Sequence, residues 1–257
     1  METLIVAHRG ASYDAPENTI PSFQLAFKEN ADFIEGDFWL TKDNEIVCIH
    51  DPNTSRVTDK KNKLNVRNST LSELKKVDAG IWKGKQFKGA TIPTLQEIFQ
   101  IIPDGKGIYI EIKDDREIFI KKLTEILQQV PISPERIRII TFNPEVVRLA
   151  KKYLPLIKTY WLFSWYFSNR EWSISLAQRK LFQTLKTLNC NGVDVNAAPY
   201  VDIRLVKSLC DANLDFCAYD VSNLETAVKL INLGVHSITT NSPLRMRKGI
   251  EEYFGSV

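Results

Sequence analysis

The feature that most constrains the fold of this chain is a repeated alternation of short apolar segments with segments of helical spacing. Eight apolar segments are predicted as the main strands: Leu4–His8, Phe33–Leu40, Gly107–Ile112, Arg138–Phe142, Ile157–Phe163, Gly192–Asn196, Asp215–Val221 and Val235–Thr240. The predicted helices between and after them are Asn18–Asn30, Thr94–Ile102, Arg116–Val130, Pro144–Tyr153, Ser175–Leu188, Asp202–Ala212, Leu224–Leu233 and Leu244–Tyr253. Strands that alternate with helices predict right-handed βαβ units and a parallel sheet.

The length of the chain favours closure of that sheet into a barrel. Eight units within 257 residues match an α/β fold of the (β/α)8 TIM-barrel type, which typically needs roughly 250 residues. An open doubly wound sheet is the alternative, but no glycine-rich dinucleotide fingerprint follows a strand. We predict one barrel domain over residues 1–257, with a small polar insertion after the second strand, at about residues 45–90. The insertion would hold an extra extended segment, Glu45–His50, and a short helix at Leu71–Val77.

Composition excludes several classes of partner. The 34 basic and 31 acidic residues give a net charge of +3, which is too balanced for electrostatic binding of nucleic acid. The start of the chain lacks the pattern of a secretory signal, and no apolar run approaches the ~20 residues that span a bilayer. The four cysteines form no CxxC pair, which favours reduced thiols. We expect a cytoplasmic protein without a stable membrane anchor, and the oligomeric state stays open.

Histidine is scarce, so its placement is informative. The chain has three histidines, His8, His50 and His236. Active sites of TIM barrels lie at the C-terminal ends of the strands, and His8 ends the first strand. A lone histidine there would more simply be a core residue, but Arg9 beside it and carboxylates at two other strand ends favour a functional role. His236 starts the last strand, at the other end of the barrel, and is interpreted as structural.

Three carboxylates are predicted to meet at the barrel mouth. Glu35 and Asp37 lie two apart in the second strand, and Glu111 and Lys113 lie two apart at the end of the third. Residues two apart in a strand share a face, so all of them can point into the mouth. Converging carboxylates require protonation or a compensating cation, and oxygen ligands suit Mg²⁺ or Ca²⁺. The alternative is a structural ion pair between Glu111 and Lys113.

Six short blocks of the sequence, in order and spacing, resemble the glycerophosphodiester phosphodiesterase family. The blocks are His8-Arg9-Gly10, Pro16-Glu17-Asn18-Thr19, Glu35-Gly36-Asp37, His50-Asp51, Ile92-Pro93-Thr94-Leu95 and Glu111-Ile112-Lys113. The resemblance implies a (β/α)8 fold, one divalent cation, and hydrolysis of glycerophosphodiesters to sn-glycerol 3-phosphate and an alcohol. Two late positions depart from the family pattern: Tyr219-Asp220-Val221-Ser222 replaces a Trp-Thr-Val-Asn string, and Asn241 replaces an aspartate.

The residues and the resemblance together predict roles for individual side chains. Glu35, Asp37 and Glu111 would hold the cation, Arg9 and Lys113 would bind the phosphate, and His8 and His50 would transfer protons. Glu17 would orient Arg9 or only favour a helix N-terminus, and Asp51 would orient His50 or only start a turn. A glycerol hydroxyl would attack first, giving a cyclic phosphate, or water would attack directly.

Two other functions stay open at this stage. The segment Tyr160–Trp172 holds seven aromatic residues, which would form a lid, a membrane contact or ordinary core packing. The first rival function is a phospholipase D-like lipid phosphodiesterase on the same barrel. The second is a catalytically inactive barrel that binds a phosphorylated ligand.

Overall fold

A computed structural model describes residues 3–58, 63–164, 174–196 and 201–255 of the chain. The strands in these ranges are β1 (Leu4–Ala7), β2 (Phe33–Leu40), β3 (Ile46–Cys48), β4 (Gly107–Ile112), β5 (Ile137–Thr141), β6 (Lys158–Phe163), β7 (Gly192–Asn196), β8 (Asp215–Tyr219) and β9 (Ser237–Thr240). The helices are α1 (Ile20–Lys28), α2 (Leu71–Leu74), α3 (Leu95–Phe99), α4 (Glu117–Leu127), α5 (Pro144–Tyr153), α6 (Ile174–Leu188), α7 (Ile203–Asp211), α8 (Leu224–Asn232) and α9 (Pro243–Gly255). None of these helices combines the length and the apolarity that crossing a bilayer requires.

The parallel strands close into a barrel. Their order around the ring is β1, β9, β8, β7, β6, β5, β4, β2, and β2 pairs again with β1. Ala7 at the end of β1 lies opposite Ile34 of β2 on one side and Thr240 of β9 on the other. The first predicted strand is therefore held between the second and the last. The predicted (β/α)8 barrel is confirmed.

The chain between β2 and β4 makes an excursion with its own small apolar core. β3 runs antiparallel to β2, with Cys48 opposite Phe38. The buried residues of this core are Val47, Ile49, Val57, Val66, Leu74, Val77, Ala79 and Ile92. This packing places His50 and Asp51, which directly follow Ile49, near the ends of the barrel strands.

Apolar side chains fill the barrel below its mouth. Val6, Phe33, Tyr109, Ile140, Tyr160, Leu162 and Cys217 form one buried cluster inside the ring. Two larger clusters lie on the helix side of the strands. Because the interior is packed, the cavity at the C-terminal ends of the strands has a closed floor, as is usual for this fold.

Several predicted elements are shorter in the structure, and two of them show the local cause. β8 ends at Tyr219 rather than Val221, because Asp220 adopts φ 58°, a left-handed conformation that cannot continue a strand. The helix predicted at Leu71–Val77 ends at Leu74, and the Val77 N–H donates to the Leu74 carbonyl in a tight turn.

Candidate active site

Three carboxylates converge at the mouth of the barrel. Glu35 and Asp37 share a face of β2, and Asp37 lies opposite Glu111 of β4. One ligand oxygen of each residue lies within 4.8 Å of the other two. The residues are 2%, 0% and 7% exposed, in chain order. The sequence pattern and the structure therefore place the same three side chains together.

The charges of this cluster are only partly balanced. Lys113 Nζ lies 3.1 Å from Asp37 Oδ1 and 2.6 Å from Glu111 Oε1, and Arg9 Nε lies 3.2 Å from Asp37 Oδ2. Burial opposes ionisation of Asp37, but Lys113 and Arg9 outweigh it and hold the pKa of that carboxyl below its usual range. Burial and the neighbouring Asp37 raise the pKa of Glu35 well above its ordinary value and that of Glu111 to about 7. One further cation would relieve this repulsion.

The donor atoms of the cluster fit a hard divalent cation. Glu35 Oε2 accepts a hydrogen bond of 2.9 Å from the backbone N–H of Arg9. The other oxygen of Glu35, the buried Oε1, has no hydrogen-bond partner among the described residues. Buried polar atoms are nearly always paired, so an orphaned carboxylate oxygen beside two further carboxylates indicates a ligand. Oxygen ligands of this kind suit ions such as Mg²⁺ and Ca²⁺.

A strained turn aims Arg9 at the cluster. Arg9 has φ 55° and Gly10 has φ 82°. A Cβ on Gly10 would lie 2.6 Å from the Ser22 backbone carbon, so only glycine fits there. The Arg9 carbonyl accepts the Asn18 N–H at 3.0 Å, and the Arg9 side chain also reaches Glu17 Oε1 at 3.1 Å. Strain of this kind persists only where surrounding contacts hold it, and it clusters at functional sites.

The two histidines of the mouth are fixed by different partners. His8 Nδ1 lies 2.8 Å from Asn241 Oδ1, which also accepts the Ser12 hydroxyl at 2.9 Å. An amide oxygen only accepts, so Nδ1 carries a proton, and in the neutral ring Nε2 keeps its lone pair. Burial and Arg9 lower the pKa of His8. His50 Nδ1 instead lies 2.6 Å from the carboxylate oxygen Asp51 Oδ1.

Arg56 joins the two predicted supporting residues, and sequence reasoning missed it. Its guanidinium contacts Glu17 at 2.6 and 2.9 Å and Asp51 at 2.9 and 3.3 Å. Burial opposes ionisation of Glu17, but Arg56 outweighs it and lowers the pKa of Glu17. Glu17 contacts Arg9 directly, Asp51 contacts His50 directly, and Arg56 links Glu17 to Asp51. Arg56 lies in the polar excursion, where no periodicity marks a functional position.

A cavity of about 360 Å³ collects most of these side chains. Six of the predicted site residues line it: His8, Arg9, Glu35, His50, Glu111 and Lys113. The remaining wall consists of Ile140, Phe142, Leu162, Ser164, Asp194, Asn196, Tyr219, Asp220 and Thr239. Asp194 was not singled out from the sequence. Within the aromatic segment, Tyr160 is buried in the barrel interior, whereas positions 165–172 lie outside the described residues.

His236 lies apart from this cavity, at the N-terminal ends of the strands. Its Nδ1 accepts the Phe216 N–H at 3.1 Å, and its Nε2 lies 3.2 Å from Asp215 Oδ1. These contacts link the residue just before β9 to β8, as expected of a structural histidine.

Comparisons with known proteins point to one family. The model of the "Glycerophosphoryl diester phosphodiesterase family" matches residues 8–245. The chain is 36% identical over 248 residues to YhdW of Bacillus subtilis, covering 93% of this chain and 94% of that protein. It is 31% identical over 256 residues to a glycerophosphodiester phosphodiesterase of the same bacterium, covering 93% and 84%.

A solved structure extends the similarity to the whole fold. An Oleispira antarctica phosphodiesterase, determined in complex with the product sn-glycerol-3-phosphate, superposes with a TM-score of 0.85 at 28% identity and covers 96% of both chains. The sequence-based assignment to the phosphoric diester hydrolases is confirmed by the family match, which spans nearly the whole chain. The barrel, its acidic mouth and this match lead to one conclusion: the chain belongs to the glycerophosphoryl diester phosphodiesterase family.

Proposed function

We propose that this chain is a divalent-cation-dependent phosphodiesterase that hydrolyses glycerophosphodiesters to sn-glycerol 3-phosphate and an alcohol. The observation that carries the proposal is one cavity lined by carboxylates with an orphaned oxygen and by two separately fixed histidines. The product bound to the Oleispira antarctica relative supports glycerol phosphate as the product here.

The phosphate and the cation would share the wall formed by β2 and β4. Glu35, Asp37 and Glu111 would hold Mg²⁺ or Ca²⁺ through oxygen atoms. When bound, such an ion polarises a phosphoryl oxygen and lowers the pKa of an attacking hydroxyl. Arg9 and Lys113, which line the same cavity, would offset the charge of the phosphodiester.

The two histidines would divide the proton transfers. His8, neutral and with Nε2 free to accept, would take the proton of the attacking hydroxyl as the new P–O bond forms. His50, whose Nδ1 lies against Asp51, would protonate the alkoxide as its P–O bond breaks. Attack by the glycerol hydroxyl, through a cyclic phosphate, and attack by water both require these two transfers.

We further propose that the chain forms one barrel domain and works in a reducing, cytoplasmic compartment. Pairing of β1 with β9 supports a single domain, and four unpaired cysteines support the compartment. The proposed partner is a small-molecule glycerophosphodiester. Arg56 and Asn241 would act as positioning residues for His50 and His8.

The decisive experiment gives the purified protein a set of substrates and measures the glycerol 3-phosphate released, with a coupled dehydrogenase, together with the free alcohol released. Glycerophosphocholine, glycerophosphoethanolamine and a lysophospholipid would each be supplied with Mg²⁺, Ca²⁺ or a chelator. We expect cation-dependent release from the water-soluble diesters. No release from any substrate would contradict the function, and release that survives exhaustive chelation would contradict the cation. Preferred cleavage of the lysophospholipid, followed by release of its free alcohol because its other product is an acylated glycerol phosphate, would favour the lipid phosphodiesterase.

A further inference from the structure

Asp194 is a buried carboxyl group without a hydrogen-bond partner among the described residues. Its neighbours in β7, Val193 and Val195, pack into the apolar cluster on the helix side of the sheet. Alternation along a strand therefore turns Asp194 toward the barrel interior. It is 1% exposed, and neither carboxyl oxygen has a hydrogen-bond partner among the described residues. Burial of an unpaired carboxyl is unfavourable for folding, so its presence here requires another explanation.

The position of Asp194 relates it to the proposed reaction. It lines the same cavity as His8 and Glu111. In the ring of eight strands, three strands separate β7 from β2 in either direction, so Asp194 lies across the barrel from the wall that carries Glu35. The adjacent wall is apolar at Leu162, which is paired with Asp194 in the sheet.

We infer that Asp194 accepts a hydrogen bond from the terminal hydroxyl of the substrate's glycerol moiety and thereby determines specificity for glycerol. The inference rests on the proposed function, which places the phosphate at the opposite wall. A substrate held there extends its far end toward β7. A carboxyl group can accept a hydrogen bond from a hydroxyl in either protonation state. A site built to bond a hydroxyl rejects analogues that lack it, because the buried polar group is then left unpaired.

The test compares sn-glycero-3-phosphocholine with 2-hydroxypropyl phosphocholine, which lacks only the terminal hydroxyl. We expect the wild type to prefer the glycerol substrate in kcat/KM by about tenfold or more. Asp194→Leu should abolish this preference, and Asp194→Asn should retain most of it because an amide oxygen also accepts. Asp215→Asn, at the other end of the barrel, should leave the preference unchanged.

Thermal unfolding separates this role from a structural one. Removing an unpaired buried carboxyl should leave Asp194→Leu at least as stable as the wild type. Asp194→Ala is the second variant if leucine does not fit, with the same expected loss of preference. Failure of both variants to fold, or an equal loss of activity on both substrates, would overturn the inference. A wild type that cleaves both substrates equally well would also overturn it, whereas a wild type that cleaves neither would contradict the proposed function itself.

Discussion

The two ends of the barrel each hold a cavity lined by charged groups, and the two ends satisfy their charges differently. The N-terminal cavity measures about 910 Å³ and the mouth about 360 Å³. In the larger cavity, Asp215 contacts Lys158 at 2.5 Å, the Tyr160 hydroxyl at 2.8 Å and His236 at 3.2 Å. Burial opposes ionisation of Asp215, but these partners, Lys158 foremost, lower its pKa.

At the mouth the balance is reversed. Glu35 keeps an orphaned oxygen, and burial raises the pKa of Glu111 to about 7. The end for which we propose function is therefore not the one with the larger cavity. Unsatisfied charge favours the mouth, because a fold retains such charge only where another requirement outweighs its cost.

The largest expected effect is the difference in activity between substituting a histidine at the mouth and substituting the histidine at the N-terminal end. His8→Ala and His50→Ala should each lower kcat/KM by about 10²–10⁴-fold, the usual worth of a positioned proton transfer. His236→Ala should keep most of the activity. Steady-state kinetics on glycerophosphocholine, with thermal unfolding as the fold control, measures this. A His50→Ala enzyme with nearly full kcat would remove His50 from the chemistry.

The second effect concerns cation binding and pH. The pKa of Glu111 rises from 4.5 to about 7 on folding, so the folded state binds more protons than the unfolded state between these values. Without a cation, this group's contribution to stability is complete at low pH and is lost as pH rises toward about 7. Added Mg²⁺ or Ca²⁺ should therefore raise Tm more at about pH 7.5 than at about pH 5.

Two glutamate variants, one at the mouth and one on the protein surface, test where the cation binds. Glu35→Gln should lose most of the stabilisation by the cation, whereas Glu145→Gln, on the exposed face of α5, should behave as the wild type. An equal gain in Tm at both pH values would show that the cation binds away from the mouth.

A smaller effect is expected from the arginine that bridges Glu17 and Asp51. Arg56→Ala should lower kcat/KM about tenfold, equivalent to ~1.4 kcal/mol, because Arg9 and His50 lose a shared support. Arg56→Lys should recover part of the loss. Arg148→Ala, which removes a surface pair with Glu145, serves as the matched control. Unchanged kcat/KM in Arg56→Ala would limit Arg56 to a structural role.

The smallest expected effect on turnover is at the opposite end. Asp215→Asn should lower the free energy of unfolding by about 1 kcal/mol, because it weakens a partly buried network. Its kcat/KM should match that of the wild type. Urea unfolding and the same kinetic assay give both values. A large fall in kcat/KM without a loss of stability would assign function to the larger cavity and break the contrast between the ends.

Side chains on regular strands were the predictable part of the site. The two-residue alternation in β2 placed Glu35 and Asp37 on one face, and the same rule applied to Glu111 and Lys113. Strand ends share one edge of a barrel, so His8 was expected beside them. Both placements follow from the periodicity of strands, which can be seen directly in the sequence.

Contacts made by irregular segments were not predictable. Arg56 reaches Glu17 and Asp51 through a turn in the polar excursion, and nothing local distinguishes it from the other cations there. Asn241 was noticed only as a departure from a family pattern, because its contact with His8 depends on closure of the ring. The end of β8 was misplaced because the left-handed conformation of Asp220 is not encoded by hydrophobic pattern.

Closure of the ring also affects when the proposed site is completed during folding. His8 and Asn241 are 233 residues apart in sequence, and β1 completes its pairing only when β9 docks against it. During synthesis from the N-terminus, Arg9 and Glu35 emerge early, whereas Asn241, the partner of His8, emerges near the end. The proton transfer proposed for His8 would thereby be withheld from a chain that lacks β9, so hydrolysis would report that the ring has closed.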